Sequence, residues 1–302
     1  MPACPGSRLR AEARASFAAG GRGGKQAGIR GLACYNPSGI YSMSRFGNLE
    51  FGDESARQSQ SEATARTPDD LLHLQSADEA FAAGEFEQAL RRYSKVLEFN
   101  PHLPAAWTGQ VRMLIELGEF KEAKLWADKA LERFPTEPEL LAAKAVALAR
   151  TGDLPAAQTF SDASIEERGD TPYLWLARGD VLLTRGEARA DYCFEKALLL
   201  APRDWFVNWL AARVRMFHEQ FVLAVQLLEQ AIEWKTGQFV LWLELGRCQQ
   251  ALGLRNPARQ SFAQARLLKP ESSTPKLALL ELERGNTFGE KMRGWWRRAF
   301  KR

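Results

Sequence analysis

The sequence predicts an all-α protein built from stacked helix pairs, and three sets of regularly spaced residues predict it. Gly84, Gly118, Gly152 and Gly186 stand 34 residues apart, and Gly253 follows 67 residues later. Ala89, Ala123 and Ala157 keep the same interval, Ala190 comes one residue early, and Ala224 and Ala258 resume it, so one residue is missing between Gly186 and Ala190. Pro101, Pro135, Pro202 and Pro270 form the third set, with Gly169 and Thr236 where further prolines would fall. Periods of this length mark an array of supersecondary units rather than one central core. Six units follow, beginning near Asp70, Pro104, Pro138, Pro172, Trp205 and Phe239.

Each unit reads as two amphipathic helices, because apolar residues recur at spacings of three and four on both sides of a short glycine-containing break. Trp107 and Leu114, followed by Leu125, Ala130 and Leu131, show the pattern. The glycine ends the first helix in a left-handed conformation, and the proline about 17 residues later stops the second. Small residues stand where helices must approach closely. Ala77, Ala145, Gly179, Ala212 and Gly246 on the first helices, and Ala89 through Ala258 on the second, leave room for Tyr93, Phe194 and Phe262 to interlock.

The recurring aromatic, Leu-Gly, Gly-aromatic, Ala, aromatic, Ala and Pro positions resemble the tetratricopeptide repeat. The sixth unit shows them most fully, with Trp242, Leu245, Gly246, Gly253, Ala258, Phe262, Ala265 and Pro270. The resemblance covers about residues 68–272. It departs in the third unit, at Leu154, Ser161 and Ser164, and in the fifth, where His218-Glu219 replaces the usual glycine. It implies a right-handed α-solenoid in which the first helix of each pair lines a concave face. The stretch Thr274 to Glu283, with Leu277, Leu279, Leu280 and Leu282, suits a thirteenth helix within a capping segment 273–286. At the other end Thr67-Pro68-Asp69-Asp70 offers a hydroxyl cap, a proline for the first turn and acids at the positive pole of the helix dipole.

The composition is 45% hydrophobic and 26% charged, and no apolar run is long enough for a membrane-spanning helix. The net charge of +4 divides into +6 over residues 1–48, −7 over 49–287 and +5 over 288–302. A mildly acidic body between basic ends argues against a general nucleic-acid binder. The four cysteines show no paired spacing, which fits a reducing, cytoplasmic setting without a structural zinc.

Residues 1–42 are rich in Gly, Ala, Ser and Arg with one acid, Glu12. Three readings fit them: an organelle transit peptide, a disordered arm, or upstream sequence before a start at Met43. Residues 43–67 read as a flexible linker, in which Phe46, Leu49 and Phe51 form a short apolar cluster. If residues 291–302 of the tail 287–302 are helical, Met292, Trp295, Trp296 and Phe300 share one face and Arg297, Arg298, Lys301 and Arg302 stand on the rest. That pattern fits a helix lying on an anionic membrane surface, and equally a second cap packed on the repeats.

The resemblance places a ligand against the first helices. Spacings of three and four then select Arg112, Arg150, Tyr173, Leu176 and Asp180 for its surface, followed by Phe206, Trp209, Arg213, Met216, Phe217, Leu243 and Arg247. Aromatics interleaved with arginines are enriched where proteins bind one another, and a guanidinium grips a carboxylate through two hydrogen bonds. The implied partner is an apolar, acidic peptide or helix of another protein. Tyr173, Phe206 and Trp209 also fit inter-repeat packing. The lysine and asparagine clamp of tetratricopeptide cochaperones is absent, since Leu74, Asp78, Gly109, Glu139 and Ala143 occupy its surface.

No catalytic arrangement is legible. The chain has no GxSxG, HExxH or Walker loop, and Gly20-Gly21-Arg22-Gly23-Gly24 precedes no strand. His73, His102 and His218 fall on three different units, as lone surface or boundary histidines do, and no cofactor or metal ligand set is expected. The sequence therefore predicts a non-enzymatic adaptor. The alternatives are a structural subunit of a larger or self-associated complex, and an RNA-associated scaffold.

Overall fold

A computed structural model describes residues 68–167 and 170–283 of the chain. The linker 43–67, the basic segment 1–42 and the tail with Met292, Trp295, Trp296, Arg297, Arg298, Phe300, Lys301 and Arg302 lie outside the described residues. Within them are thirteen helices and no strand. In chain order they are α1 (Pro68–Ala82), α2 (Phe86–Phe99), α3 (Pro104–Glu116), α4 (Phe120–Arg133), α5 (Pro138–Thr151), α6 (Leu154–Glu166) and α7 (Pro172–Thr184), then α8 (Ala190–Leu200), α9 (Trp205–Phe217), α10 (Phe221–Trp234), α11 (Phe239–Ala251), α12 (Arg255–Leu268) and α13 (Ser273–Glu283). No described helix is long and apolar enough to cross a membrane.

Successive helices pair as α1/α2 through α11/α12, and each second helix packs on the first helix of the next pair. Pro104, Pro138 and Pro172 open α3, α5 and α7, where a missing N–H costs nothing. Each glycine of the 34-residue set closes the first helix of its pair with positive φ. The amide of Gly84 bonds Phe81 O and that of Glu85 reaches back to Ala80 O, each at 2.9 Å, which satisfies the last carbonyls of α1. The fifth pair achieves the same turn without glycine. Glu219 takes φ 59°, and Gln220 N bonds Arg215 O at 2.9 Å.

The core is a stripe along the array. Ala89, Ala123, Ala157, Ala190, Ala224 and Ala258 have no exposed surface, because a larger side chain there would push the paired helix away. Glycines on first helices receive the rings of second helices, Gly109 that of Tyr93, Gly179 that of Phe194 and Gly246 that of Phe262. A Cβ at Gly246 would stand 2.6 Å from Phe262 Cδ1. Gly246→Ala should therefore cost about 1–3 kcal/mol by overpacking. The check is a lower denaturation midpoint with an unchanged helical spectrum, and an unshifted midpoint would mean that the ring has room to move.

Helix α13 closes the last pair by placing Leu282 against Phe262 and Leu243, with Ala278 and Leu279 beside them. Its outer face is mixed, with exposed leucines beside the exposed Lys276 and Glu283. Leu277 is 58% and Leu280 47% exposed.

The array curls until its first pair meets its fifth and sixth. Gln238 Nε2 donates to Ala82 O at 2.8 Å, Lys269 Nζ lies 2.6 Å from Glu85 Oε1, and the turn at Gly84 packs on Val240. Phe81 at the end of α1 meets Phe206 edge-on at 5.1 Å, and Phe86 at the start of α2 stacks on Trp209 at 6.2 Å. The first helices thus face a partly enclosed interior that remains open to solvent.

Candidate functional site

The interior holds a cavity of about 510 Å³. Helices α3, α5, α7, α9 and α11 line it, together with Phe86 and the α3–α4 turn through Phe120. Nine of the twelve residues expected on the ligand surface line it: Arg112, Arg150, Tyr173, Leu176, Asp180, Arg213, Met216, Phe217 and Arg247. They converge because successive first helices pack side by side, so residues at one helical register face the same space.

The other three are drawn elsewhere. Leu243, 6% exposed, packs with Ala258, Phe262, Ala265 and Leu282 and belongs to the core under α13. Trp209 has no exposed surface, being covered by Phe81, Phe86, Trp205 and Phe206, and its Nε1 donates to Glu244 Oε2 at 2.6 Å. It is a core residue and not a ligand anchor. Phe206 is half-buried against Phe81.

Four arginines enter the cavity in two different states. Arg150 Nη2 lies 2.6 Å from Asp180 Oδ2, and both side chains are nearly buried. Burial alone would raise the Asp180 carboxyl, but Arg150 and His218 outweigh it and hold it below the ordinary carboxylate range. Burial lowers the Arg150 guanidinium, with Asp180 opposing. Arg150 also sits over the Phe217 ring, 2.8 Å from its centroid, and its buried Nε has no hydrogen-bond partner. Arg213 is shared between Glu116 Oε2, at 2.6 Å, and Glu244. Burial would lower its guanidinium, and the two glutamates instead push it up.

Arg112 and Arg247 differ. Arg112 lies over the rings of Tyr173 and Phe81, at 3.9 and 4.9 Å from their centroids. Burial lowers the Arg247 guanidinium, with Glu244 only partly opposing. Neither forms an ion pair within 4 Å among the described residues, where Arg150 and Arg213 each have one or two.

His218 is not a lone boundary histidine. Its Nε2 lies 2.8 Å from Asp180 Oδ1, a bond between the fifth and fourth pairs. Phe81, Phe86, Phe120 and Glu244 also escaped sequence reasoning. Phe86 and Phe120 occupy first positions of second helices, which a linear register assigns to packing within the pair, and only the curvature turns them inward. Asp78, on the expected inner stripe of α1, accepts a 2.5 Å hydrogen bond from the Tyr93 hydroxyl.

Residues 80–145 match the family model for the tetratricopeptide repeat. The same helix-pair geometry continues through α12, so that six helix pairs follow one another among the described residues. No curated protein matches the sequence. Solved structures that resemble it include the APC/C hetero-tetramer Cut9–Hcn1, at 15% identity and TM-score 0.45, with 70% of this chain and 42% of that one covered. The chain thus spans under half the length of that protein. The repeat protein TTC0263 of Thermus thermophilus resembles it at 20% identity and TM-score 0.46, covering 59% of this chain and 98% of the other. A tetratricopeptide repeat protein from Parabacteroides merdae does so at 17% identity and TM-score 0.47, covering 72% and 86%.

Proposed function

We propose that the array is a non-enzymatic scaffold that binds a segment of another protein in its interior cavity, and that the segment carries an apolar residue beside a carboxylate. Repeats of this family mediate protein–protein interaction. The observation that carries the finer reading is the state of the arginines. Arg150 and Arg213 have carboxylates in contact, whereas Arg112 and Arg247 face the same cavity with none within ion-pair distance, Asp78 and Glu244 acting on them from further away. A half-buried guanidinium with no anion in contact keeps donors free, and a ligand carboxylate would satisfy them through charge-assisted hydrogen bonds. Leu176, Leu210, Val214, Met216 and Phe217 supply the apolar wall. A largely apolar cavity with a few polar groups aimed inward is the usual form of a recognition site.

Selection from a displayed peptide library tests this. Recovered peptides should place an Asp, Glu or free C-terminus within a few residues of an apolar or aromatic one. Arg112→Glu with Arg247→Glu should weaken their binding by at least about tenfold, the equivalent of 1.4 kcal/mol, while leaving helicity intact. Basic peptides, or equal binding by the double variant, would overturn the reading.

A further inference from the structure

We propose that Glu116 is the residue that limits the cavity to ligands with a single carboxylate, because it fills from within the chain the place where a second one would bind. The proposal rests on the cavity being the binding site. Arg213 holds Glu116 Oε2 with two N–H groups, Nε at 2.8 Å and Nη2 at 2.6 Å, while its Nη1 goes to Glu244. Glu116 and Arg213 are 97 residues apart, so the pair joins the end of α3 to α9, and both side chains line the cavity. Burial lowers the Arg150 guanidinium, and Glu116 joins Asp180 in opposing it. The Glu116 carboxylate thus stands within the field of two of the cavity's arginines.

The carboxylates that bond these arginines differ. Asp180 and Glu244 have side chains 3% and 2% exposed, and each has a second partner, His218 for Asp180 and the Trp209 indole for Glu244. They belong to the packed wall. The Glu116 side chain is 22% exposed and ends α3, where the carbonyl pole of the helix dipole repels an anion. Its own helix therefore disfavours the charge, and the attraction of Arg213 across the cavity offsets that. A ligand acid arriving at Arg213 meets a guanidinium whose donors are in use and a like charge beside it. A built-in repulsive group of this kind is a general route to specificity. Arg112 and Arg247, with no carboxylate within ion-pair distance, remain to receive one acid. Glu116→Gln keeps the length of the side chain and an acceptor for Arg213 while removing the charge.

Chemical-shift titration of the full chain by NMR tests this with two peptides, acetyl-Phe-Glu-amide with one carboxylate and acetyl-Glu-Phe-Glu-amide with two. Glu116→Gln should bind the two-acid peptide about tenfold more tightly than the wild type does, and should change the affinity for the one-acid peptide by less than about threefold. Glu116→Asp, which keeps the charge, should retain the wild-type preference. An unchanged ratio of the two affinities would overturn the proposal. Equal gains for both peptides would do so as well, since the charge would then act as a general field and not at one place. Loss of helical signal in Glu116→Gln also counts against it, because the pair would then be a structural tie. Arg112→Glu with Arg247→Glu separates the two readings. If that variant weakens both peptides while Glu116→Gln alters neither, the cavity reading stands and this one falls. If it binds both as the wild type does, or if neither peptide binds any of the proteins, both readings fall.

Discussion

Trp209→Ala should lower folding stability by about 3–5 kcal/mol, the range for removing a buried large aromatic. The indole has no exposed surface and sits among four rings, with Phe86 stacked on it at an interplanar angle of 8°. Its loss opens a void at the point where the first pair meets the fifth, and it removes the 2.6 Å donor to Glu244, a carboxylate itself 1% exposed. Chemical denaturation provides the check, with Trp209→Phe as the companion that keeps a ring but loses the N–H. The phenylalanine variant should retain most of the stability. A Trp209→Ala protein with an unchanged midpoint would show that the aromatic cluster contributes nothing. A binding defect in that variant is uninformative about the ligand, and Arg112 and Arg247 are the better probes.

Asp180→Ala should have an effect of similar size, about 3–5 kcal/mol, because it leaves Arg150 as a buried charge without its partner. The Asp180 carboxylate receives Arg150 at 2.6 Å and faces His218 Nε2 at 2.8 Å, and both acid and guanidinium are almost fully buried. The pH dependence follows from the depressed carboxyl. Its stabilisation is complete above the unfolded-state pKa of about 4 and is lost as pH falls through the lower folded value. Melting of the wild type and of Asp180→Asn, compared at pH 6 and pH 3, should show a gap that narrows in acid. A gap of constant size would mean that Asp180 titrates alike in both states.

Much of the fold was legible in the residues themselves. Proline at helix starts, glycine at their ends and alanine at the crossing points have local causes, so one repeat suffices to read them and the period then multiplies the evidence. The inner register was legible too, since nine of the chosen residues line one cavity. Trp209 and Leu243 show where that reasoning stops. Both stand at apolar, first-helix positions like those of Leu176 and Met216, and side-chain type does not distinguish a wall of the cavity from the layer behind it. What covers each side chain separates them, since Leu176 on the cavity wall is itself only 2% exposed, and the cover arrives from elsewhere: Phe81 and Phe86 for Trp209, and α13 for Leu243.

The sequence by itself determined the helices, their pairing, their turns and the side of each helix that faces inward, because these depend on residues within about one repeat of each other. The tertiary structure alone decided that the array closes. Curvature is the sum of small rotations between neighbouring pairs, each set by the packing of rings and small residues at one interface. A few degrees at each is invisible in any single unit, yet summed over five interfaces it brings Glu85 to Lys269 and Phe86 to Trp209. It also leaves Arg112 and Arg247 facing a shared cavity with no carboxylate within ion-pair distance, which no periodicity in the chain could announce.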